Sequence, residues 1–541
     1  MKLKSLKYTL ATVFCSSILL TACIKDNFDF KKLGKSPWNP NLAVPLAYSK
    51  LTAFDILKET DKDGNIQVDG NNFCTLVYKD RLFSLQAKEI INIPDQFFNT
   101  DLSLSAGNIA TLTGSGSVTV NYTQTITYNA GTTEIDSILY KLMTLNIFTT
   151  SDFNHSGSLL VTIPGAKKNG IPFQTTIPLS ANSNTNNNYD LSGYTFDMTL
   201  GGTTTNQFQI LYGLTLTNSG NPTTTFNKVS VQTSFNNNQF DIIHGYIGQL
   251  ALSPFEDTVL VKLFNNSFGN GSFRLVDPYM EIGFNNSFGV PISGTFAYLK
   301  GFNPISGATY DISSSTGIPN PLPIASPSII GQTASSGFNL TNANTGGLMT
   351  EMINEQPKYI IYKLNSISNT PPPSIRNFVS DTSHFTVDMN LYLPLYGRAF
   401  DFIFQDTLDF KFDGITELDN VLLRTYINNG FPIDVTVQAY FVDHDSTTNF
   451  TTYLDSLVVP SQIFMKSASV DFASGRVTTP TSKTTDIVAD RNKLARIAKA
   501  NKILIRATGA STNNGNPNVK IYSDYILEVK IGIQTQLNTS F

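Results

Sequence analysis

Cys23 is the side chain in this sequence whose setting best suits covalent chemistry. It follows Leu20-Thr21-Ala22, which closes an uncharged run beginning at Tyr8, and three lysines lie upstream at positions 2, 4 and 7. A positive start, an apolar core and a small residue at the cleavage point are the layout of a secretory signal. The apolar run is shorter than the roughly 20 residues that a membrane-spanning helix needs. We therefore predict cleavage after Ala22, which leaves Cys23 as the first residue of the mature chain.

The segment Leu20-Thr21-Ala22-Cys23 resembles the lipobox of bacterial lipoproteins. That resemblance implies that the Cys23 thiol takes a diacylglyceryl group, that residues 1–22 are removed, and that the new amine is acylated. Several acyl chains anchor a protein stably to a membrane, whereas a single chain does so only marginally. The alternative is an ordinary secretory signal that happens to contain a cysteine, and we favour the lipoprotein.

The residues after the cysteine are interpreted as a localisation signal within a tether that joins the lipid to the folded protein. Ile24-Lys25-Asp26-Asn27-Phe28-Asp29 places a lysine and then acidic residues directly after Cys23. This resembles the export signal of Bacteroidota surface lipoproteins, which implies that Lys25 and Asp26 direct the protein to the outside of the outer membrane. The alternative is a solvated tether over 23–40, because polar, charged segments resist folding. The next segment, Trp38 to Leu46, resembles one in large flavobacterial lipoproteins, but that resemblance implies no function.

The other chemistry-bearing residues match no catalytic, cofactor or metal motif, and we predict none of these sites. Gly34-Lys35-Ser36 ends like a phosphate loop, but Asp29 stands where such a loop needs glycine. Asp443-His444-Asp445 lacks a second ligand pair at zinc spacing, and the run from Asp61 to Asn72 lacks the glycine and glutamate of a calcium loop. The two carboxylates of a glycosidase can come from any positions, so the sequence leaves that activity open.

Five aspartates, at positions 136, 257, 406, 445 and 455, precede a Ser or Thr, and the third residue is apolar in all of them except the Asp445 tripeptide, which ends in Thr447. These tripeptides resemble the O-glycosylation acceptors of Bacteroidota envelope proteins. For the first three, the alternative is a structural role at the start of a strand, because these tripeptides recur where strands are predicted to begin. Ser446 and Ser456 belong to the last two tripeptides and are the candidate glycosylation sites.

Charge and cysteine content narrow the class of protein. The chain has 541 residues, with 41 acidic against 37 basic side chains, and loss of the signal removes three of the lysines. Nothing in this balance attracts a phosphate backbone, so nucleic acid is not an expected partner. With Cys23 acylated, only Cys74 remains, so no intrachain disulfide can form. Cys74 lies in a strand pattern and is predicted to be a small buried hydrophobe.

The pattern of the chain predicts an all-β fold of tandem antiparallel β-sandwich-like modules with a few short helices, because short Thr- and aromatic-containing runs alternate with Asn and Gly. The helices are predicted at Leu51–Lys58, Gly347–Asn354 and Arg491–Lys499. The length exceeds what one hydrophobic core supports. After the tether we predict a β-rich segment with a short helix (41–98), module 1 (99–250), module 2 with a Ser/Pro/Gly-rich insert (251–375) and module 3 (376–541).

Prolines at 172, 291 and 432 are predicted to begin equivalent strands in the three modules, where a missing N–H is tolerated. Asn285-Asn286-Ser287-Phe288-Gly289 precedes the second proline, and Asn428-Asn429-Gly430-Phe431 precedes the third. The first of these runs also has an earlier copy at 264–269, and we favour two similar turns over two ligand loops. A period of two after Pro432 predicts a half-buried strand. Its core-facing residues are Ile433, Val435, Val437 and Ala439, and its outward residues are Asp434, Thr436, Gln438 and Tyr440.

These features together predict a non-catalytic outer-membrane lipoprotein that faces the cell exterior. Its β modules would present binding surfaces to a protein partner or an extracellular polymer. One alternative is an accessory subunit of an outer-membrane transport or assembly complex, in contact with a barrel protein. Another is a polysaccharide-active enzyme. Glycan platforms favour Trp, and the chain has one Trp against 22 Tyr and 38 Phe, which counts against glycan binding.

Overall fold

The computed structural model of the protein has an all-β fold with a few short helices, which confirms the predicted fold class. It describes residues 37–38, 41–55, 65–131, 133–249, 251, 255–261, 272–369, 376–400, 402–411, 420–448, 450–458, 463–471, 473–512, 517–536 and 539–540. Ala22, Cys23, Lys25 and Asp26 lie outside the described residues. So do Asp61 and the early 264–269 copy of the Asn-rich run.

The strands follow one another in chain order. The first group is β1 (Pro37–Trp38), β2 (Asn41–Thr52), β3 (Ile66–Val68), β4 (Cys74–Gln86), β5 (Gln96–Ser103), β6 (Ser117–Thr127), β7 (Glu134–Ser151), β8 (Ser156–Lys168), β9 (Ile171–Leu179), β10 (Asn184–Asp190), β11 (Thr195–Asp197), β12 (Gln207–Thr217) and β13 (Lys228–Tyr246). The second group is β14 (Phe255–Leu260), β15 (Ser272–Leu275), β16 (Tyr279–Asn286), β17 (Ile292–Phe302), β18 (Thr309–Asp311), β19 (Ala334–Leu340), β20 (Tyr359–Ser368), β21 (Asn377–Ser380), β22 (His384–Pro394) and β23 (Tyr396–Phe400). The third group is β24 (Phe402–Asp409), β25 (Asn420–Asn429), β26 (Ile433–Asp445), β27 (Phe450–Ser456), β28 (Ile463–Met465), β29 (Ser469–Asp471), β30 (Arg476–Thr479), β31 (Thr481–Asp490), β32 (Lys502–Ser511), β33 (Val519–Lys520), β34 (Ile526–Gln536) and β35 (Thr539–Ser540). The helices are α1 (Ala87–Ile90), α2 (Ala106–Ser115), α3 (Leu348–Asn354) and α4 (Arg491–Ile497).

The described residues form two compact units. The first, here called the split unit, combines residues within 1–56, 268–272 and 398–541. The second, the inserted unit, contains residues within 57–267 and 273–397. The inserted unit is therefore carried between two segments of the split unit. The predicted boundary at 250/251 lies inside the inserted unit, and the one at 375/376 lies before Gly397, where that unit ends.

The largest sheet of the inserted unit has ten antiparallel strands. Strand β13 pairs with β5, β7 and β21, while β7 also pairs with β10 and β11. Strand β11 bridges to β8, which pairs with β9 and β12, and β12 pairs with β6. The core beside β11 contains Phe196, Phe208 and Phe235. Their rings contact one another edge to face, with centroids 5.5 to 6.0 Å apart. This is the geometry that aromatic quadrupoles favour.

Two further sheets of the inserted unit form a sandwich that positions the candidate site. One has the order β19-β16-β22-β4-β3, and the other has the order β14-β20-β17-β18. The Tyr362 hydroxyl, on β20, donates a hydrogen bond to the Leu82 carbonyl, on β4, which joins the two sheets. Along β16, Ile282 and Phe284 are buried, whereas Glu281 and Gly283 lie on the partly exposed face. The five-stranded sheet therefore has one apolar face in the sandwich and one polar face toward solvent.

The split unit is also built from two facing sheets. One has the order β2-β34-β25-β31, and the other has the order β24-β32-β26-β27, with β28 also paired to β26. The Ser49 hydroxyl on β2 donates to the Asp406 carboxylate on β24 at 2.7 Å, which links one pair of edges. The Lys483 ammonium on β31 donates to the Phe464 carbonyl on β28 at 2.9 Å, which links the other pair.

The predicted alternation after Pro432 is confirmed on its core side. Ile433, Val435, Val437 and Ala439 are all at most 2% exposed. The prediction for Gln438 is wrong, because this side chain is only 6% exposed. Its amide nitrogen donates to the Val458 carbonyl at 2.8 Å and its amide oxygen accepts from the Val458 N–H at 3.2 Å. A distant segment thus covers part of the outward face, which a local period of two cannot reveal.

The two Asn-rich runs form the same hydrogen-bonded turn in both units. Asn286 accepts from the Phe288 N–H at 2.9 Å and donates to the Val290 carbonyl, four residues on, at 3.5 Å. Asn429 accepts from the Phe431 N–H at 3.0 Å and donates to the Ile433 carbonyl, also four residues on, at 2.8 Å. Each amide donates once more, to the carbonyl of Ala325 or of Lys466. The repeat is therefore a structural turn. Strands start directly after Pro291 and Pro432, whereas the strand at Pro172 already starts at Ile171, one residue before the proline.

The predicted short helices have mixed outcomes. Helices α3 and α4 confirm two of them. The helix predicted at Leu51–Lys58 is wrong for its first two residues, which extend β2 because the ladder with β34 continues to the Thr52–Ile526 pair. Only 53–55 are helical there, and 56–58 lie outside the described residues. Helix α2 was not predicted, although Ser105 accepts from the Asn108 N–H as an N-cap and Gly116 ends the helix at φ 81°.

Two other observations concern Cys74 and membrane helices. Cys74 is fully buried on β4, which confirms its prediction. Within the described ranges, none of the helices has the length and hydropathy that crossing a bilayer would require.

Candidate functional site

An open groove of about 580 Å³ lies on the polar face of the five-stranded sheet. Its volume falls in the range of ligand-binding clefts. The lining residues come from β16, β19, β22 and the turn after β19: Glu281, Ile282, Gly283, Gly337, Phe338, Asn339, Asn344, Asp388 and Asn390.

Paired glycines form the floor of the groove. Gly337 on β19 pairs with Gly283 on β16, which in turn pairs with Asp388 on β22. A Cβ atom at Gly337 would lie 2.4 Å from the Ile282 carbonyl oxygen, so this position requires glycine. A Cβ atom at Gly283 would meet only the Asp388 carbonyl oxygen, at 4.0 Å. The floor is thus free of side chains, and Gly283 has room for one.

One wall of the groove is a row of polar side chains that neighbouring residues hold in place. Asn339, Glu281 and Asn390 lie opposite one another on adjacent strands. The Glu281 carboxylate accepts hydrogen bonds from the Tyr392 hydroxyl at 2.9 Å and from the Asn390 amide at 3.5 Å. The Tyr392 ring stacks on Tyr279 at 4.5 Å. Burial, together with the hydrogen bond to Glu281, raises the pKa of Tyr392 to about 12, so this hydroxyl remains a donor at neutral pH.

The inner end of the groove is formed by Asp388. Its carboxylate accepts from the Arg81 guanidinium, on β4, at 3.0 Å and from the Asn285 amide at 3.1 Å. The side-chain oxygen Oδ1 of Asn285 in turn accepts from the Ser335 hydroxyl at 2.8 Å. One network therefore spans four strands. It orients the side chains before any ligand arrives, which reduces the cost of ordering them on binding.

The groove has the donors and acceptors that suit hydroxyl groups. Ionised carboxylates accept hydrogen bonds only, amide side chains both donate and accept, and a hydroxyl group can serve either partner. Glu281 and Asp388 supply the first type, and Asn339, Asn344 and Asn390 supply the second. In the described part of the chain, no cluster of three or more His, Cys, Asp or Glu side chains could hold a metal ion.

The residues predicted to carry O-glycans lie in the split unit, in two different settings. Ser446 is exposed in the turn between β26 and β27. Next to it, Asp445 accepts from the Thr448 hydroxyl at 2.7 Å and the Thr447 N–H at 2.8 Å, and these bonds lower the pKa of Asp445. Ser456 is half-buried at the end of β27. The preceding side chain, Asp455, is 6% exposed and forms ion pairs with Lys493 at 3.2 Å and Arg496 at 2.6 Å.

None of the groove residues was predicted from the sequence. A local signal exists, because polar residues or glycine alternate with buried residues from Tyr279 to Asn285 and from Asp388 to Tyr392. That signal indicates a polar sheet face and nothing more. The groove arises only from the register of the strands, since it needs Gly337 beside Gly283 and Gly283 beside Asp388.

The Asp443-His444-Asp445 run, which was considered as a metal motif, lies at the end of β26. There the His444 ring forms a hydrogen bond with the Thr451 hydroxyl at 2.9 Å.

Comparisons with known proteins yield weak likenesses. No family model matches the chain, and no curated protein matches it. Among solved structures, a predicted secreted protein of Parabacteroides distasonis is 11% identical, with a TM-score of 0.29, covering 92% of this chain and 99% of that one. The PBSX exported protein XepA is 11% identical, with a TM-score of 0.14, covering 55% of this chain and 86% of that one. A triple jelly-roll protein of an archaeal virus is 10% identical, with a TM-score of 0.11, covering 81% of this chain and 96% of that one.

Proposed function

We propose that this protein is a non-catalytic, lipid-anchored outer-membrane protein that faces the cell exterior and binds an extracellular polysaccharide in the groove of the inserted unit. The observation that supports the ligand is the floor without side chains, formed by Gly283 and Gly337, beside carboxylates and amides that are already oriented. The lipobox resemblance at Cys23 and the segment that begins with Lys25 and Asp26 support the location.

The chemistry of the groove separates polysaccharides from other ligand classes. Drug-like apolar ligands need mainly hydrophobic lining, whereas Ile282 and Phe338 are the only apolar residues among those that line this groove. Phosphorylated ligands would face two carboxylates, and the Arg81 guanidinium is already paired with one of them. A neutral, hydroxyl-rich chain satisfies the acceptors and the amides together. The shortage of Trp leaves stacking to other aromatic side chains, and the stacked Tyr279–Tyr392 pair adjoins Glu281 in the wall of the groove.

Replacing Gly283 with leucine is expected to reduce polysaccharide retention at least tenfold and to leave the fold intact. The new side chain would occupy the floor, where the backbone leaves space. The measurement is retention of the purified mature protein on a panel of insoluble neutral polysaccharides, with thermal unfolding recorded in parallel. Gly114→Leu is the matched control, because Gly114 lies exposed on α2 and a Cβ added there would have no atom within 4 Å. Equal retention of both variants would contradict the site, and no retention of the parent protein on any polymer would contradict the function.

A second candidate function is a polysaccharide-active enzyme that uses Glu281 and Asp388. These carboxylates lie on neighbouring strands at diagonal positions, which places their Cα atoms about 7–8 Å apart. Glycosidases of the inverting class hold their carboxyl groups about 6.5–9.5 Å apart, a separation that side chains on Cα atoms at this spacing can reach. Release of soluble sugar from a bound polymer, lost in Glu281→Gln, would establish the enzyme. Retention without sugar release would support the binding protein.

Cys23→Ala is expected to release the protein from the membrane, because the proposed anchor is the lipid on that cysteine. The measurement is the distribution of the variant and the parent between membrane and soluble fractions after a high-salt wash. Membrane association of the variant that persists after the wash and is lost in detergent would contradict the anchor.

Two further experiments test the orientation and the partner. Protease treatment of intact cells tests whether the protein faces outward. Recovery of a barrel protein in stoichiometric amount from detergent extracts would favour the accessory-subunit alternative.

A further inference from the structure

We infer that the groove binds the end of a neutral polysaccharide chain and that the Asp388–Arg81 ion pair is the stop at which the chain ends. This inference rests on the proposed function and deepens it. It follows from the direction of the groove, which runs across the strands and not along them.

The direction follows from the register of the sheet. The floor and its inner end lie in one row of paired residues: Gly337 on β19 and Gly283 on β16 form the floor, and Asp388 on β22 and Arg81 on β4 follow at the inner end. The side chains of the rows two residues away on each strand stand on either side of the floor. Glu281 and Asn390 belong to one of these rows, and Asn285 belongs to the other. A chain that lay along the strands would have to cross both rows, so the unobstructed path is along the floor.

The two ends of this path differ. On β19, Ser335, Gly337 and Asn339 are all exposed, so the path is open to solvent on that side. Two strand spacings from Gly337, about 9.6 Å, the path meets the Asp388 carboxylate and, behind it, the Arg81 guanidinium. The ion pair between them joins β22 to β4 at 3.0 Å. A floor of this length with one closed end accommodates a few sugar units and a terminus.

The charges at the closed end favour a terminal residue without charge of its own. Asp388 already accepts from Arg81 and Asn285, and its remaining acceptor positions suit the hydroxyl groups that a terminal sugar exposes. A terminal uronic acid would bring a second carboxylate against Asp388 and, along the wall, Glu281. We therefore assign the groove to neutral chain ends.

The test uses the full mature protein and linear oligomers of glucose, mannose, xylose and galactose, from one to six units, followed by the long polymer of whichever sugar binds best. We expect affinity to rise up to about three units and to change less than twofold from three to six. At saturation, each long polymer chain should bind one protein. The double variant Asp388→Ser with Arg81→Ser should allow several proteins per polymer chain, because it removes both side chains that close the path. Lys79→Ser, which removes a cation from the same strand one row away, should behave as the parent does.

Two outcomes would overturn the inference while leaving the proposed function intact. One is several parent molecules bound per polymer chain, and the other is an affinity that still rises tenfold between three and six units. Binding of an oligomer that ends in uronic acid as tightly as its neutral counterpart would overturn the assignment to neutral ends. If no oligomer or polymer binds, the proposed function and this inference both fail.

Discussion

Val435→Asp is expected to destabilise the split unit by about 4 kcal/mol or more, because it places an unpaired carboxylate in a core. Val435 is fully buried near the start of β26, opposite Gly509 on β32 and Met465 on β28. Neither neighbour can donate a hydrogen bond from its side chain to the new carboxylate. The measurement is denaturant unfolding of the whole mature chain, with hydrogen exchange of β26 used to assign the transition to the split unit.

The matched control is Thr436→Asp, one residue further along the same strand. Thr436 is only half-buried and lies on the opposite face, between Thr508 and Phe464. An aspartate there remains solvated, so we expect a cost within about 1 kcal/mol. Similar losses in the two variants would show that the faces of β26 do not differ in solution as they do in the structure.

Asn429→Ala should cost the split unit about 3–5 kcal/mol, since each buried polar group that loses its partner costs about 1–3 kcal/mol. Asn429 is fully buried, and its amide serves three backbone groups: the Phe431 N–H and the carbonyls of Ile433 and Lys466. Alanine leaves all three without that partner. The measurement is the same denaturant titration.

The neighbouring residue provides the control for this turn. Asn428 is half-buried on the other side of β25, so Asn428→Ala should change stability by less than about 1 kcal/mol. Asn286→Ala tests the equivalence of the two turns, and we expect it to destabilise the inserted unit by a similar amount. A loss of stability in one unit without a loss in the other would mean that the equivalent hydrogen bonds do not contribute equally to the stability of the two units.

Local patterns predicted the fold class, helices α3 and α4, strand starts within one residue of the three prolines and the core face of β26. Each of these depends on residues within a few positions of one another. The burial of Gln438 could not be predicted, because Val458 covers it from a separate segment. The groove could not be predicted for the same reason. Gly283, Gly337 and Asp388 come from three strands, and no feature of the sequence specifies their register.

The pairing of β2 with β34 has a consequence for the order of folding during export. Strand β2 begins at Asn41, close to the proposed anchor, whereas its partner ends at Gln536. The inserted unit lies between them in the chain and needs no residue from either strand. It can therefore complete its sheets while β34 is still being translocated, and contacts between such distant segments form slowly. We expect the split unit, which contains the segment next to the proposed lipid anchor, to fold last, with β2 exposing an unpaired edge until β34 has been translocated.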